Sequence, residues 1–193
     1  HLNHSFGTNK KLDCIFNHHE QACAIGAEAY YRLTNKLPVV NVTSGPGGTN
    51  AITGVYGAFV DSIAMLVISG QVKWETTVRS TGLPLRQYGD QELDIEELVR
   101  PVTKYCEMVT DPQTIRYHLE KAIYIATSGR PGPVWLDIPL NVQGAQIDPD
   151  TLPGFDPAKL DEPWKKTDLK QATEKIFEKI QTAKRPVIFV GGG

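Results

Sequence analysis

Short apolar runs alternate with longer amphipathic stretches along the first 140 residues of the chain. The runs have the length and β-branched content of strands and cover residues 13–16, 38–42, 63–69, 103–108 and 134–138. Helical spacing covers residues 20–35, a stretch that follows a Gly/Pro loop and ends near residue 61, and residues 92–100 and 112–128. Strands that alternate with helices predict an α/β fold, in which helices cover both faces of a parallel sheet.

The composition changes after this alternation. Four prolines without apolar periodicity predict an extended linker over residues 144–167 (Pro149, Pro153, Pro157 and Pro163). Asp168 can cap a helix to about residue 183, with a buried stripe of Ile176, Phe177 and Ile180, and residues 186–190 predict a strand before three glycines. We therefore expect one domain over residues 1–143 and the start of a second α/β domain over residues 168–193. We also expect the chain to be truncated at both ends.

Composition and charge narrow the class of protein. The 193 residues are 40% hydrophobic and 22% charged, as in a globular domain, and the net charge of −2 argues against a nucleic-acid binder. The sequence has no run of about 18 apolar residues, so we expect no membrane span. Three scattered cysteines predict neither a disulfide framework nor a zinc site, which favours a reducing cytoplasm (Cys14, Cys23 and Cys106).

A glycine-rich loop between a predicted strand and a predicted helix is the first candidate for chemistry. It reads Thr43-Ser44-Gly45-Pro46-Gly47-Gly48-Thr49-Asn50. A phosphate-binding P-loop would end in Gly-Lys-Ser/Thr, and a dinucleotide fingerprint would keep the G-x-G-x-x-G spacing, and this loop does neither. The loop alone is equally well explained as a tight structural turn.

Glu20 is the second candidate, because it opens a helix directly after the predicted strand at residues 13–16. An acidic residue in a first helical turn commonly serves only to interact with the helix dipole or to cap the helix. Two successive strand-to-helix turns, however, would place Glu20 and the glycine loop at the same carboxyl edge, where parallel sheets bind ligands.

Taken in order, these motifs resemble the pyrimidine-binding domain of thiamine-diphosphate enzymes, in the acetolactate synthase and pyruvate oxidase group. The resemblance covers residues 1–143. The motifs are His19-Glu20-Gln21-Ala22, the loop from Thr43 to Asn50, Asp61-Ser62, Ile68-Ser69-Gly70-Gln71-Val72, Arg100-Pro101-Val102-Thr103-Lys104, Gly129-Arg130-Pro131-Gly132-Pro133-Val134 and Asp137-Ile138-Pro139.

The resemblance implies a catalytic role for Glu20. In this family a carboxyl group hydrogen-bonds to the aminopyrimidine of thiamine diphosphate and promotes its imino tautomer, and the cofactor then acts on a 2-oxo acid such as pyruvate. By the same resemblance Thr43, Pro46, Gly47 and Asn50 line the pyrimidine. It further implies a homodimer or tetramer formed through the pyrimidine-binding domain, with small residues of the Glu20 helix closely packed there.

The residues that would bind the rest of the cofactor do not occur in this sequence. The family binds the diphosphate and Mg²⁺ through a Gly-Asp-Gly motif and a downstream Asn, whereas the sole Gly-Asp pair here is Gly89-Asp90, followed by Gln91. We therefore expect no metal ligands in this chain, weak cofactor binding and no activity by the chain alone. FAD in the full protein stays open.

Gln91 is a candidate for the substrate side of the site. Acetolactate synthases have a Phe-Gln-Glu sequence beside the substrate, and here Asp90 stands in place of Phe before Gln91 and Glu92. A solvated start of a helix explains the same residues equally well. Two other classes also stay open: a nucleotide-binding or transhydrogenase-like module, and a catalytically silent interaction domain of the same fold.

Overall fold

The computed structural model describes residues 1–160 and 169–191 and divides the chain into two compact units, His1–Phe155 and Asp156–Gly193. In the first unit the strands are β1 (Val39–Val42), β2 (Met65–Gln71), β3 (Tyr105–Met108) and β4 (Pro133–Pro139). Its helices are α1 (Leu2–Thr8), α2 (Glu20–Thr34), α3 (Pro46–Val60), α4 (Val78–Thr81), α5 (Ile95–Val99), α6 (Ile115–Thr127) and α7 (Leu140–Gln143). The three short 3₁₀ turns are Trp74–Thr76, Arg100–Val102 and Pro112–Thr114.

The four strands form one sheet in the order β1-β2-β4-β3, and each pair is parallel. The register places Ser69 of β2 beside Val42 of β1 and beside Asp137 of β4. All four strands therefore end at one edge of the sheet. This architecture confirms the predicted α/β class.

Helices cover both faces of the sheet. Successive strand residues point to opposite faces, so each strand contributes side chains to two separate cores. Met65 and Val67 join the core beneath α2, α3 and α5, whereas Leu66 and Ile68 join the core beneath α6 and α7. All seven residues of β4 are buried. A strand buried on both faces is apolar almost throughout, which explains why the alternation expected of a half-exposed strand is absent from β4.

Helices α2 and α3 pack side by side and run in the same direction. Their contacts follow a constant offset of about 30 residues, through Glu20 and Asn50, Ala24 and Gly54, Glu28 and Gly57, and Arg32 and Asp61. A Cβ atom at Gly54 would lie only 2.5 Å from the Cβ of Ala24, so these two small residues allow the close approach of the helices. The pairing brings the first turn of α2 to the first turn of α3.

One strand prediction in this unit is wrong. Residues 13–16 have irregular backbone, and Ile15 and Phe16 are 84% and 76% exposed. An apolar run becomes a strand only when a neighbouring strand accepts its backbone hydrogen bonds, and no described residue pairs with this segment. Glu20 consequently follows an irregular segment instead of a strand.

The first unit extends beyond α7. Leu152 is 6% exposed, and the ring of Phe155 packs against Tyr117 and Tyr124 of α6. The backbone N–H of Phe155 donates to Glu120 at 2.7 Å. The linker and domain limits expected from the proline pattern stay a prediction.

The second unit contains a 3₁₀ turn at Pro157–Lys159 and helix α8 (Leu169–Thr182). The prediction of a buried stripe on this helix is wrong, because Ile176, Phe177 and Ile180 are 59%, 60% and 40% exposed. The predicted strand at residues 186–190 is also wrong, since these residues are irregular and the described part of the chain offers them no partner strand. The predicted cap, Asp168, lies outside the described residues. Among the residues described, no helix is both long and apolar enough to cross a membrane.

Candidate functional site

The glycine-rich loop lies where β1 ends and α3 begins, at the carboxyl edge of the sheet. Gly45 precedes α3 with φ 55° and ψ −116°, a conformation that side chains strongly disfavour, and Pro46 starts the helix. A Cβ atom at Gly47 would lie 2.7 Å from the Cγ2 of Thr43 and 3.6 Å from the Oε1 of Glu20. Because both glycines lack a side chain, the backbone of Gln91 can approach Gly45 and the side chain of Thr43 can approach Gly47, and together they form a surface beside a carboxylate.

Glu20 is held at this surface by its own helix and by α3. His19 caps α2 by accepting a hydrogen bond from the N–H of Gln21 at its Nδ1, at 3.2 Å, so Glu20 is the first residue of the helix. The amide of Asn50 donates to the Oε2 of Glu20 at 3.2 Å. Both side chains are half-buried. One carboxylate oxygen is therefore oriented by a neighbouring amide, which leaves the other oxygen facing Gly47.

Gln91 reaches the same surface from a different segment. A Cβ atom at Gly45 would overlap the backbone oxygen of Gln91, so the two backbones are in direct contact. Gln91 itself has φ 55°, in the left-handed region, and is exposed. This turn places Gln91 beside the entrance to α3.

The polar segment that carries Gln91 is anchored by two carboxylates. Glu92 accepts the backbone N–H groups of Val78, Tyr88 and Gly89, so it organises the loop instead of beginning a solvated helix. Helix α5 begins later than predicted, at Ile95, with Asp94 as its cap. The sequence did not predict that Glu92 would bind loop backbone, because the three N–H groups that it binds lie 3 to 14 residues earlier in the chain and are brought to it by the folding of the loop.

Glu96 of α5 anchors the same segment through Arg79. Burial raises the pKa of this carboxyl group, but the ion pair with Arg79 at 2.7 Å and a second ion pair with Arg100 outweigh burial, and its pKa is lowered. Arg79 is therefore a structural contact of the loop.

A cavity of about 310 Å³ opens beside the ends of β1 and β2, next to α1 and α7. Its lining includes Asn41, Thr43, Ser44, Gln71 and Gln143. Asn41 donates to the side chain of Asn3, while its own Oδ1 is buried and has no partner among the described residues. Thr43 thus borders both this polar cavity and the surface beside Glu20.

A buried polar network joins the two central strands under the site. Ser69 donates to the Oδ1 of Asp137 at 2.5 Å, Gln71 donates to its Oδ2 at 2.9 Å, and the indole N–H of Trp135 donates to Ser69 at 2.8 Å. Burial raises the pKa of Asp137 to about 6, against the opposing effect of both hydrogen bonds. The signal of this network in the sequence is the presence of polar residues inside otherwise apolar strands, Ser69 and Gln71 in β2 and Asp137 in β4.

The described residues offer no cluster for a metal ion: no three His, Cys, Asp or Glu side chains among them are suitably grouped. The structure does bring the predicted pyrimidine-side residues into one continuous surface. Glu20, Thr43, Gly47 and Asn50 contact one another or share a neighbour, Pro46 lies between Gly45 and Gly47, and Gln91 adjoins Gly45. The chemical roles of these residues stay predictions.

Comparison with known proteins agrees with this geometry. Residues 1–98 match the family described as thiamine pyrophosphate enzyme, N-terminal TPP binding domain. This match covers half of the chain, and the structure has the glycine turn and the glutamate at the carboxyl edge of its parallel sheet. The chain therefore belongs to this family of thiamine pyrophosphate enzymes.

Similar proteins include several acetolactate synthases. The acetolactate synthase large subunit of Corynebacterium glutamicum is 37% identical over 191 residues, which cover 96% of this chain and 28% of that protein. That of Haemophilus influenzae is 38% identical over 183 residues, 94% of this chain and 30% of the relative. The chloroplastic acetolactate synthase of Arabidopsis thaliana is 35% identical over 187 residues, 93% of this chain and 26% of the relative. The chain therefore spans less than a third of these relatives.

Proposed function

We propose that this chain supplies the pyrimidine-binding side of a thiamine-diphosphate-dependent enzyme that acts on a 2-oxo acid, in the manner of an acetolactate synthase. The observation that carries the proposal is the hydrogen bond between Asn50 and Glu20, which joins the first turns of α2 and α3 beside Gly47. The family match and the names of the relatives support the cofactor and the reaction class.

The surface beside Glu20 fits a flat heterocycle. Gly47 is buried, and a Cβ atom there would lie 2.7 Å from the Cγ2 of Thr43 and 3.6 Å from the Oε1 of Glu20, so glycine lets both of these side chains keep their places at the site. Glu20 can hold a proton against a ring nitrogen, because one of its oxygens is already fixed by Asn50. Thr43 and Pro46 then border the ring. When bound, thiamine diphosphate supplies an electron sink for the carbon that loses carbon dioxide.

The remainder of the cofactor site belongs to the same proposal. The diphosphate, its Mg²⁺ ion and any FAD would bind to residues outside this chain, which by itself would bind the cofactor weakly and be inactive. The enzyme that we propose would decarboxylate pyruvate and then form a new carbon–carbon bond with an acceptor, as a lyase or transferase. We expect it to act in the cytoplasm.

The proposal includes a homodimer, or a tetramer built from dimers, formed through helices α2 and α3. Their outer faces expose several large apolar side chains in a single copy: Ile25, Tyr30, Leu33, Tyr56, Phe59 and Val60. Ala22, Gly26 and Ala29 lie exposed among them on α2. An apolar patch with small residues between large ones suits a closely packed protein interface.

The test of the proposed role is Glu20→Gln in the protein with its complete natural sequence. We expect thiamine-diphosphate-dependent turnover of pyruvate to fall by about 10²–10⁴-fold, because the amide cannot exchange a proton with the ring. Glu28→Gln is the matched control, since Glu28 lies on the same helix but pairs with Arg32. Turnover unchanged by Glu20→Gln, with Glu28→Gln equally active, contradicts the proposed role.

A further inference from the structure

Three buried polar side chains occupy the centre of an otherwise apolar sheet. Ser69 and Asp137 are each 1% exposed, and Gln71 is 5% exposed. Asp137 binds one of these partners with each of its oxygens, Ser69 on Oδ1 and Gln71 on Oδ2. A buried carboxylate costs free energy even when it is paired, so packing alone does not account for this arrangement.

The side chain of Gln71 has one orientation because each of its polar atoms is occupied. Its Nε2 donates to Asp137 at 2.9 Å and to the backbone oxygen of Leu93 at 2.8 Å, and its Oε1 accepts the N–H of Val72 at 3.0 Å. Rotating the amide by half a turn would place Oε1 against two acceptors. Asp137 therefore selects the orientation in which Gln71 holds Leu93.

Leu93 connects this network to the candidate site. It follows Gln91 by two residues, and the backbone oxygen of Gln91 contacts Gly45 at the entrance to α3. The chain of contacts thus runs from Asp137 through Gln71 to Leu93, and then through Gln91 to Gly45. Each step is a hydrogen bond, a short stretch of backbone or a direct backbone contact.

We propose that Gln71 and Asp137 are positioning residues, which hold the turn at Gln91 against Gly45 and thereby fix the substrate side of the site. This inference rests on the proposed function for its catalytic consequence, although the mechanical link does not depend on it. Neither side chain needs to touch the cofactor or the substrate. Ser69, by contrast, binds the other oxygen of Asp137 and has no contact with Leu93 in the network.

The test compares Gln71→Met with Ser69→Ala in the protein with its complete natural sequence. Both variants remove buried hydrogen bonds to Asp137, so both lose stability, but only Gln71→Met releases Leu93. We expect amide hydrogen exchange at residues 88–93 to accelerate in Gln71→Met and to stay at the wild-type rate in Ser69→Ala. Asp137→Asn keeps an acceptor for Gln71, and we expect its exchange in this segment to resemble that of the wild type.

Kinetics measure the catalytic consequence. With pyruvate as substrate and saturating thiamine diphosphate and Mg²⁺, we expect kcat/KM of Gln71→Met to fall by about tenfold to hundredfold, and that of Ser69→Ala to stay near the wild-type value. Unchanged exchange at residues 88–93 in Gln71→Met overturns the positioning role, whatever the kinetics. Equal loss of kcat/KM in Gln71→Met and Ser69→Ala also overturns it, because a general loss of stability would then explain both. Faster exchange in Gln71→Met, together with a wild-type protein that turns over no 2-oxo acid, would support the positioning role and contradict the proposed function.

Discussion

Gly45 has the most restricted backbone position at the candidate site. Its φ of 55° with ψ of −116° disfavours any side chain, and the oxygen of Gln91 occupies the place where a Cβ atom would be. Gly82 also has a positive φ, of 64°, but a Cβ atom there would meet nothing within 4 Å. A side chain at Gly45 would therefore suffer both backbone strain and a steric clash, whereas a side chain at Gly82 would suffer backbone strain alone.

Substitution of these two glycines should have unequal effects. We expect Gly45→Ala to lower the free energy of unfolding by about 3 kcal/mol, because strain and the clash with Gln91 add together. Gly82→Ala should cost about 1 kcal/mol through the left-handed conformation alone. Urea unfolding of both variants measures the difference, and equal losses would show that Gln91 does not restrict Gly45.

Asp137 should make stability depend on pH. Its pKa rises from 3.8 to about 6 on folding, because burial and the nearby carboxylates Asp94 and Glu96 disfavour its ionised form. The folded state then binds the proton more tightly than the unfolded state, so this group's contribution to stability is full below pH 4 and is lost as the pH rises through 6.

Asp137→Asn removes this titration. The free energy of unfolding of the variant minus that of the wild type should increase by up to about 3 kcal/mol between pH 4 and pH 7. Urea unfolding of both proteins at pH 4, 5.5 and 7 measures this change, and the other titrating groups cancel in the difference. A difference that does not vary with pH would mean that Asp137 keeps an ordinary pKa in the fold.

At the level of elements, the parallel pair of α2 and α3 determines where Glu20 lies. Gly54 and Ala24 let the helix axes approach, and this approach brings Asn50 to within hydrogen-bond distance of Glu20. Besides the Cβ of Ala24, a Cβ atom at Gly54 would meet backbone atoms of α2 at 2.9 Å, which cannot move independently of the helix. At Gly57, one turn later, it would meet the flexible carboxylate of Glu28 at 3.1 Å.

The helix pair predicts different results for two similar substitutions. Gly54→Ala should reduce the free energy of unfolding by about 2–3 kcal/mol, since the helices must separate. Gly57→Ala should raise it by up to about 1 kcal/mol through helix propensity, because the side chain of Glu28 can turn aside. Thermal or urea unfolding distinguishes the two. A loss at Gly57 as large as that at Gly54 would show that the whole of α3 packs too tightly for this distinction.

At the scale of the whole molecule, the described residues of the first unit leave an apolar face on α2 and α3 exposed. Ile25 and Tyr56 on this face are 47% and 56% exposed. Ile123 on α6 is similarly exposed, at 45%, but lies on the opposite side of the sheet. This pair of isoleucines provides a matched comparison for the proposed dimer.

A charge on the dimer face should separate the subunits. In the protein with its complete natural sequence, we expect Ile25→Asp to shift the mass measured by light scattering from a dimer or tetramer toward smaller species, because an unpaired carboxylate would be buried in the interface. Ile123→Asp should leave the mass unchanged. A wild-type protein that is already monomeric, or an Ile25→Asp variant with unchanged mass, contradicts an interface on this face.

Local patterns predicted some elements well and others poorly. The helix at Glu20 and the helix after the glycine loop were predicted because spacing, small residues and the Gly/Pro loop act within a few residues. Residues 13–16 and 186–190 have equally apolar patterns, yet neither is a strand, because strand formation depends on a partner that a local pattern does not contain. The expected buried stripe on α8 failed for the related reason that burial depends on what packs against a helix.

The amino-acid sequence by itself determined the α/β class, the turn at the start of α3 and the candidate residues Glu20, Thr43, Pro46, Gly47, Asn50 and Gln91. Only the tertiary structure decided how these residues meet. The bond between Asn50 and Glu20 depends on the packing of two helices, and the bond between Gln71 and Asp137 joins residues 66 positions apart through the register of two parallel strands. Composition and spacing encode which elements form, whereas register and helix packing set the distances between side chains, because these are collective properties of surfaces far apart in the chain.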